Sequence, residues 1–558
     1  MKKIIIVLFV FFAAARAFAQ VENVPLYFPV YDFLKEMSVK KIIHYDDDNP
    51  NLSRFEVADF LKTIDLKKNS LTRTEKDLLE KYKVEYIPGE SNSGNTWNMF
   101  GSGRKFTDNL DGFFSNKQKY MFSSGNPGNN IFVEGLGNVY AGHEIKPDRD
   151  INTLMMDGGL AARGTLFNHL GYYLEWGKGM MFGQKDLGPL MEPRMKIDYK
   201  FNEDKEKLRN YDYTSAYLKY YIEPLEKFGI SVQFGREKTT FGYGYGSKTM
   251  LSGDGPDLDY LKLNAKYGVI RYTVMYASTV GYFLPVRDDR YTKYISMQRL
   301  KIALPDLFDA AISTSIVYNG RIDFAYLNPI MFWPFAEKSL QDRDNKNFVL
   351  DFQTRFLKNV ELQGTLYIDD DELFGFATGK INKTEKIAYQ IGTFIYEPLS
   401  IPDLTFIAEY TKIRPYVYSH YDIKDNYTAY GINLGHRIGP NSDEICTKLA
   451  YNISDWGRAG IEYRFIRKGN NIYDEFGNLI KNVGGDISQG FRDNIDDDYA
   501  RFLDGERVNS NNLTLNFRFI PIRNYTFDLV YVYNIDNNIT KSFKKDFSYG
   551  YVRMNITY

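Results

Sequence analysis

NLTLNFRFIPIRNYTFDLVYVYN, residues 512–534, decides how the rest of the chain is read. Leu513, Leu515, Phe517 and Phe519 alternate with Thr514, Asn516 and Arg518. After a break at Pro521 to Asn524, Phe527, Leu529, Tyr531 and Tyr533 share one face of the next segment. Successive side chains of a strand point to opposite faces, so this stretch reads as two strands joined by a short turn, each apolar on one side. Val552, Met554, Ile556 and Tyr558 repeat the pattern against Arg553, Asn555 and Thr557. A soluble β-sandwich or propeller also alternates. A last strand ending on an aromatic residue, and loops of unequal length, favour a transmembrane barrel with lipid on one face and water on the other.

The N-terminus agrees with export. MKKIIIVLFVFFAAARAFAQ has basic Lys2 and Lys3, an apolar run from Ile4 to Ala15, and the small-x-small site Ala17-Phe18-Ala19 before Gln20. That pattern predicts a cleaved signal peptide over residues 1–19, and the apolar run is too short to span a bilayer as a helix. No later run reaches the roughly 20 apolar residues such a helix needs. Cys446 is the single cysteine, so no internal disulfide framework exists, and the net charge of −1 gives no electrostatic case for nucleic acid. With 45 Tyr and 41 Phe, 16% of the chain is aromatic. Tyr-rich, Gly-rich and exported, the chain reads as an all-β, antiparallel outer-membrane barrel.

A helical pattern precedes the barrel. Ser53-Arg54-Phe55-Glu56 and Thr72-Arg73-Thr74-Glu75 are capping boxes, in which hydroxyl and glutamate satisfy the free N–H groups of a helix start. Phe55, Ala58, Leu61 and Ile64 follow the first, and Leu78, Leu79 and Tyr82 the second, each suiting one helix face. Tyr31, Phe33, Leu34 and Met37 suit an earlier helix. The expected organisation is a periplasmic helical region at 20–90, a linker at 91–104 and the barrel at 105–558, with about 18 strands for that length.

Loop lengths orient the barrel, because such barrels have short periplasmic turns and long outer loops. Short turns are expected at Lys266-Tyr267-Gly268, at Pro305-Asp306, near Lys358-Asn359 and at Pro521 to Asn524. Long segments at 236–259, about 278–296, at the start of the 321–352 stretch and from Asp369 all fall on the opposite rim, and the C-terminus falls in the periplasm.

The stretch RIDFAYLNPIMFWPFAEKSLQDRDNKNFVLDF, 321–352, is thus an outer loop or a plug folded into the lumen mouth. Pro329 and Pro334 forbid a regular inner strand. Tyr326, Phe332, Trp333 and Phe335 offer flat faces for sugar rings, or sit in a headgroup girdle. Asp342-Arg343-Asp344-Asn345 suits an ion-paired lock, since a guanidinium fork grips carboxylates. GREKTTFGYGYGSKTMLSGDGPDLD, 235–259, has no Gly-Lys-Ser/Thr ending and is no phosphate cradle. Its alternating Gly242, Gly244 and Gly246 suit a strand or ribbon at a close backbone approach. The acid runs Asp46 to Asp48 and Asp369 to Glu372 lack EF-hand spacing and read as solvated turns. The histidines are scattered, with His169 in an apparent hairpin turn, and neither Gly-x-Ser-x-Gly nor His-Glu-x-x-His occurs. No enzyme, metal or cofactor is expected.

These stretches resemble the capsule assembly protein Wzi family over most of the chain. GREKTTFGYGYGSKTMLS is similar to the family's Gly-Arg, Gly-rich and Leu-Leu-Ser element. MQRLKIALPDLFDAAISTSIVYNGRIDFAYLNPI, with its trailing DRDN and LYIDDDEL, resembles its central block. VYDFLKEM, LSRFEVADFL and LTRTEKDLLEKY resemble the helical leader of long members. The resemblance implies an outer-membrane barrel that holds capsular or surface polysaccharide among outer-membrane lipid and LPS. By motif position it singles out Arg236, Asn328, Asp342, Arg343, Asp344 and Asn345, and Trp333 joins them as a stacking residue; each could instead lock loops. A diffusion porin is the alternative, from the polar face of Lys262, Asn264, Lys266 and Arg271. A third reading makes the helical leader a docking platform for periplasmic export machinery.

Overall fold

The computed structural model describes residues 20–87, 96–100, 112–147, 149–184, 186–196, 208–281, 291–341, 343–369 and 385–558. Within them, 18 long strands close into one antiparallel barrel. They are β1 (Asn129–Lys146), β2 (Asn152–Leu166), β3 (Leu170–Gly183), β4 (Leu208–Leu225), β5 (Phe228–Glu237) and β6 (Leu258–Tyr267). β7 (Ile270–Val280), β8 (Thr292–Leu304), β9 (Phe308–Asn319), β10 (Asn345–Thr354), β11 (Val360–Asp369) and β12 (Ile387–Tyr396) follow. β13 (Leu404–Ile413), β14 (Ser442–Ser454), β15 (Gly457–Asn470), β16 (Glu506–Ile522), β17 (Tyr525–Asn538) and β18 (Phe543–Thr557) complete the wall.

Every strand pairs with its neighbour in sequence, and β18 closes the ring on β1 from Thr557 opposite Leu136 to Ser548 opposite Lys146. Below that register, the short strand Phe122–Asn126 continues the line of β18 along β1, pairing Phe122 with Val133. The join is direct, with the Tyr558 N–H donating to the Gly135 carbonyl at 2.8 Å. Among the described residues, closure leaves the wall without a free edge, so its strands pair their backbone groups with one another as a lipid setting requires.

The alternation from which the barrel was read sorts the two faces. Leu174, Trp176, Leu218, Phe234, Leu300, Ile312, Ile391, Ile461 and Leu529 are exposed outward. Lys262, Arg299, Lys301, Asp309, Asp351, Glu361 and Arg464 are buried inward. Short turns at 167–169, 226–227, 268–269, 305–307, 355–359 and 523–524 define one rim. Asn168, Lys227, Gly268, Asp306, Asn359 and Asn524 take positive φ there, the backbone state that Gly and Asn adopt most readily. The longer connections 238–257, 320–344, 414–441 and 471–505 lie on the other rim.

Helices α1 (Val30–Val39), α2 (Arg54–Leu66) and α3 (Arg73–Tyr86) form at the short-turn rim. Both capping boxes are present, on Ser53 and Thr72. Phe33, Leu34, Met37, Leu61, Ile64, Leu79 and Tyr82 pack into one core with Phe394 and Tyr396 of β12. Polar ties follow the same seam. Glu36 accepts from Arg458 at 2.8 Å and Asn452 at 3.0 Å, Thr72 donates to Asp403 at 2.7 Å, and the Asn359 N–H donates to the Val39 carbonyl at 2.9 Å. The helices are packed into the barrel's mouth.

Candidate functional site: an occupied lumen beneath the outer loops

The loop between α1 and α2 enters the barrel, where its acid run meets inward cations. Asp46 pairs with Lys301 at 2.6 Å and Arg271 at 3.3 Å. Asp48 pairs with Arg299 at 2.6 Å and Lys301 at 2.5 Å, and Asp47 with Lys35 at 2.5 Å. The expectation of a solvated turn at Asp46 to Asp48 is therefore corrected. An isolated buried carboxylate is too costly to persist, but one matched to strand cations can be enclosed. Burial pushes these carboxyls up, yet the surrounding cations together, Lys301 with His44 and Arg271 for Asp46, Lys301 with Arg299 for Asp48, and Lys35 with Arg355 and Lys248 for Asp47, outweigh it and hold all three below their ordinary value. Sequence reading missed this because the strand partners Arg271, Arg299 and Lys301 lie more than 200 positions away.

The Gly-rich segment descends from the opposite rim to meet that loop. The Gly242 N–H donates to the Asp48 carbonyl at 3.1 Å, and Lys248 Nζ to the Asp47 carbonyl at 3.0 Å. Glu409 accepts from the Tyr245 and Gly246 N–H groups at 2.7 and 2.8 Å, and the Gly244 N–H donates to Gln363 at 3.1 Å. The segment is an inward loop with one bridge, Phe241 to Leu251, and not the ribbon expected. The close approach does hold: at Gly244, with φ +147°, a Cβ would lie 2.4 Å from the Ser247 carbonyl oxygen. Above it, Tyr418, Tyr427 and Leu434 of the 414–441 loop pack with Phe241, Met250, Met275 and Met297. The lumen beside β5–β13 is filled from both ends.

His44 Nε2 lies 3.5 Å from Asp46 and 3.4 Å from Asp309, a grouping of metal-ligand type. Lys301 on Asp46 and Arg355 on Asp309, at 2.6 and 2.7 Å, already neutralise both carboxylates. It is an ion-pair knot.

The sequence candidates are scattered rather than gathered. Arg236 lies on the outward face at the outer rim, where it grips Asp259 through two bonds of 2.8 and 2.7 Å. The segment 321–341 does not enter the lumen mouth but lies against the outside of the wall. Its Trp333 is fully buried beside Tyr276 of β7, with ring centroids 6.0 Å apart, so no sugar can stack on it. Trp333 Nε1 donates to the Asn328 carbonyl at 3.1 Å. Asp344 accepts from Tyr326 at 2.7 Å and pairs with Arg321, tying the segment's two ends. Arg343 pairs with Asp323 at 3.3 Å, Asn345 is buried at the start of β10, and Asp342 lies outside the described residues. Asp369 is buried and accepts from the Tyr418 N–H at 2.6 Å; the rest of its acid run, 370–372, is outside the described residues. Exposed aromatic rings on the outer rim come instead from Tyr421, Phe476 and Tyr499 in the 414–441 and 471–505 loops. Sequence reading passed over them because nothing local separates Tyr421 from its buried neighbours Tyr416 and Tyr418, or marks Phe476 and Tyr499 as exposed.

A closed 18-strand wall with an apolar outside, an ion-paired inside and chain packed into part of its lumen defines an outer-membrane β-barrel. Among solved structures, one similar chain is Wzi of Escherichia coli, an outer-membrane protein involved in group 1 capsule assembly and described as a carbohydrate-binding β-barrel. The two align over 96% of this chain and 99% of that one, at a TM-score of 0.54 and 11% identity, which shows a shared fold. OprD of Pseudomonas aeruginosa covers 77% of this chain and 95% of its own, at 9% identity and a TM-score of 0.42. No family model and no curated protein matches the sequence.

Proposed function

We propose that this protein is a non-enzymatic outer-membrane barrel, exported by a cleaved signal peptide, that binds and organises capsular or other surface polysaccharide. One observation carries the reading: exposed rings of Tyr421, Phe476 and Tyr499 stand on the outer rim above a lumen already occupied by its own chain. Aromatic faces at a wet rim suit sugar rings, whose C–H faces are apolar while their hydroxyls stay hydrated. The shared fold with a barrel described as carbohydrate-binding supports the same direction. The helical leader at the short-turn rim is the surface through which periplasmic export machinery would dock. The test is binding of the host's own surface polysaccharide to detergent-solubilised protein, with the triple variant Tyr421→Ala/Phe476→Ala/Tyr499→Ala as control. At least tenfold weaker binding by the variant is expected; equal binding rejects these rings as the site, and no binding by either rejects the function.

The diffusion porin keeps one observation in its favour. Asn512, Thr514 and Asn516 of β16 and Asn534 of β17 face the lumen and retain solvent exposure, on the side opposite the filled half. Planar-bilayer recording separates the readings, since steady large openings require a continuous water path.

A further inference from the structure

The outer wall of β7–β10 carries a polar stripe where a lipid-facing wall would be apolar. Pairing register places Tyr276, Ser296, Gln298, Thr314 and Lys346 outward, alongside Val274, Leu300, Ile312 and Leu350. The segment 321–341 lies over this stripe as a flap. It includes the helical turn Phe324–Leu327 and the short helix α4 (Trp333–Ser339). Its inner side buries Tyr326, Trp333 and Ala336 against Val274, Ile316 and Tyr318. Lys346 meets Glu337 of the flap at 2.7 Å, both buried.

The flap reaches far down the wall. Gln298 donates to the Pro329 and Met331 carbonyls at 3.2 and 2.9 Å. Gln298 lies opposite Val274, and β7 ends outward at Val280. At ~2.5 Å of axial rise per residue in a tilted strand, the flap's tip sits ~15 Å below the outer end, within an apolar band ~25 Å tall.

Irregular backbone survives at that depth only where protein satisfies its polar groups. The wall does so here: Tyr276 donates to the Leu327 carbonyl at 2.7 Å, Tyr272 and Gln298 to that of Pro329, and Gln298 to that of Met331. Trp333 closes the Asn328 carbonyl from within the flap. The flap's other side shows the opposite chemistry. Ile322, Phe324, Ile330, Met331, Phe332 and Phe335 are exposed, Ile330 at 89% and Phe324 at 85%. A contiguous apolar face of this kind marks a contact surface, and it is continuous with the exposed Leu300, Ile312 and Leu350 of the wall.

We infer that the flap is a membrane-embedded element whose crest, Phe324, Ile330, Phe332 and Phe335, is seated among the hydrocarbon chains of the outer leaflet. The polar stripe beneath then serves as its berth, supplying donors to carbonyls that neither lipid nor water reaches. This inference is independent of the glycan reading.

The test uses nitroxide labels on the full-length mature chain reconstituted in phosphatidylcholine vesicles. Cys446, the single native cysteine, is removed as Cys446→Ala, and Ile330→Cys and Phe335→Cys are labelled in that background. Leu350→Cys provides a wall reference and Phe476→Cys an outer-loop reference, and each variant is first checked for a heat-modifiable barrel on gels. Labels at 330 and 335 should collide more with oxygen than with a water-soluble nickel chelate, as at 350, with a ratio severalfold above that at 476. More frequent collision with nickel than with oxygen at both crest positions overturns the proposal.

Discussion

Two irregular segments, one from the helical leader and one from the wall itself, pack against the barrel in opposite chemistries. The loop of Asp46 to Asp48 goes inside and is held by charge: three carboxylates against Lys35, Arg271, Arg299 and Lys301. The flap at 321–341 goes outside and is held by rings, Trp333 and Tyr326 against β7–β9, with side-chain donors on its carbonyls. The difference follows from the solvent each segment borders. A polar lumen supplies cations that make an acidic loop cheaper to enclose, whereas a wall facing hydrocarbon accepts a loop only if its backbone is satisfied and its free side is apolar.

Breaking the charge side is expected to have the largest effect. Arg299→Ala leaves Asp48 and Asp351 without their shared guanidinium in a buried setting. Removing one partner of such a pair costs about 3–5 kcal/mol. Faster proteolysis of the 40–52 loop, together with new conductance in planar bilayers, would register it; unchanged protection would show that the ion pairs do not hold the plug.

Trp333→Ala on the ring side should be smaller and local. Large-to-small changes at buried aromatic sites cost about 3 kcal/mol or more where the site cannot collapse, but here the loss is confined to a flap whose wall remains closed. The expected result is cleavage within 321–341 by added protease, with the barrel's heat-modifiable mobility intact. Loss of the barrel itself would mean the flap is part of the fold's foundation.

The smallest effect is electrostatic and separates the lumen from the outer loops. Burial pushes Asp425, in the 414–441 loop, up to about 7, while Asp46, Asp47 and Asp48 of the plug loop are held low. A raised acid opposes folding increasingly as pH climbs from its ordinary 3.8 to about 7, so mild acidification steadies that loop. A depressed acid contributes fully above 3.8 and loses its contribution only as pH falls below it, so the plug should stay docked through the same range. Infrared titration should find a carboxyl band near pH 7 that vanishes in Asp425→Asn. Its survival in that variant would reassign the group.

Much of the wall was legible beforehand because strand geometry is local. Period two, the short turns at Pro305-Asp306 and Lys358-Asn359, the capping boxes on Ser53 and Thr72, and the rim on which each long loop falls all follow from neighbouring residues. The destination of each loop was not legible. Trp333 reads equally well as a sugar platform or a packing anchor, and only the outward register of Tyr276 and Gln298 decides for packing. Asp46 to Asp48 read as a solvated turn until Arg299 and Lys301, from a distant strand, are brought beside them.

The sequence by itself determined that the chain forms a two-faced ribbon with a helical leader, because backbone alternation and helix capping are settled within a few residues. Only the tertiary structure decided what enters the lumen and what lies on the outer wall. That choice is made by ion pairs and ring contacts between residues far apart in the chain, whose matching no local pattern records.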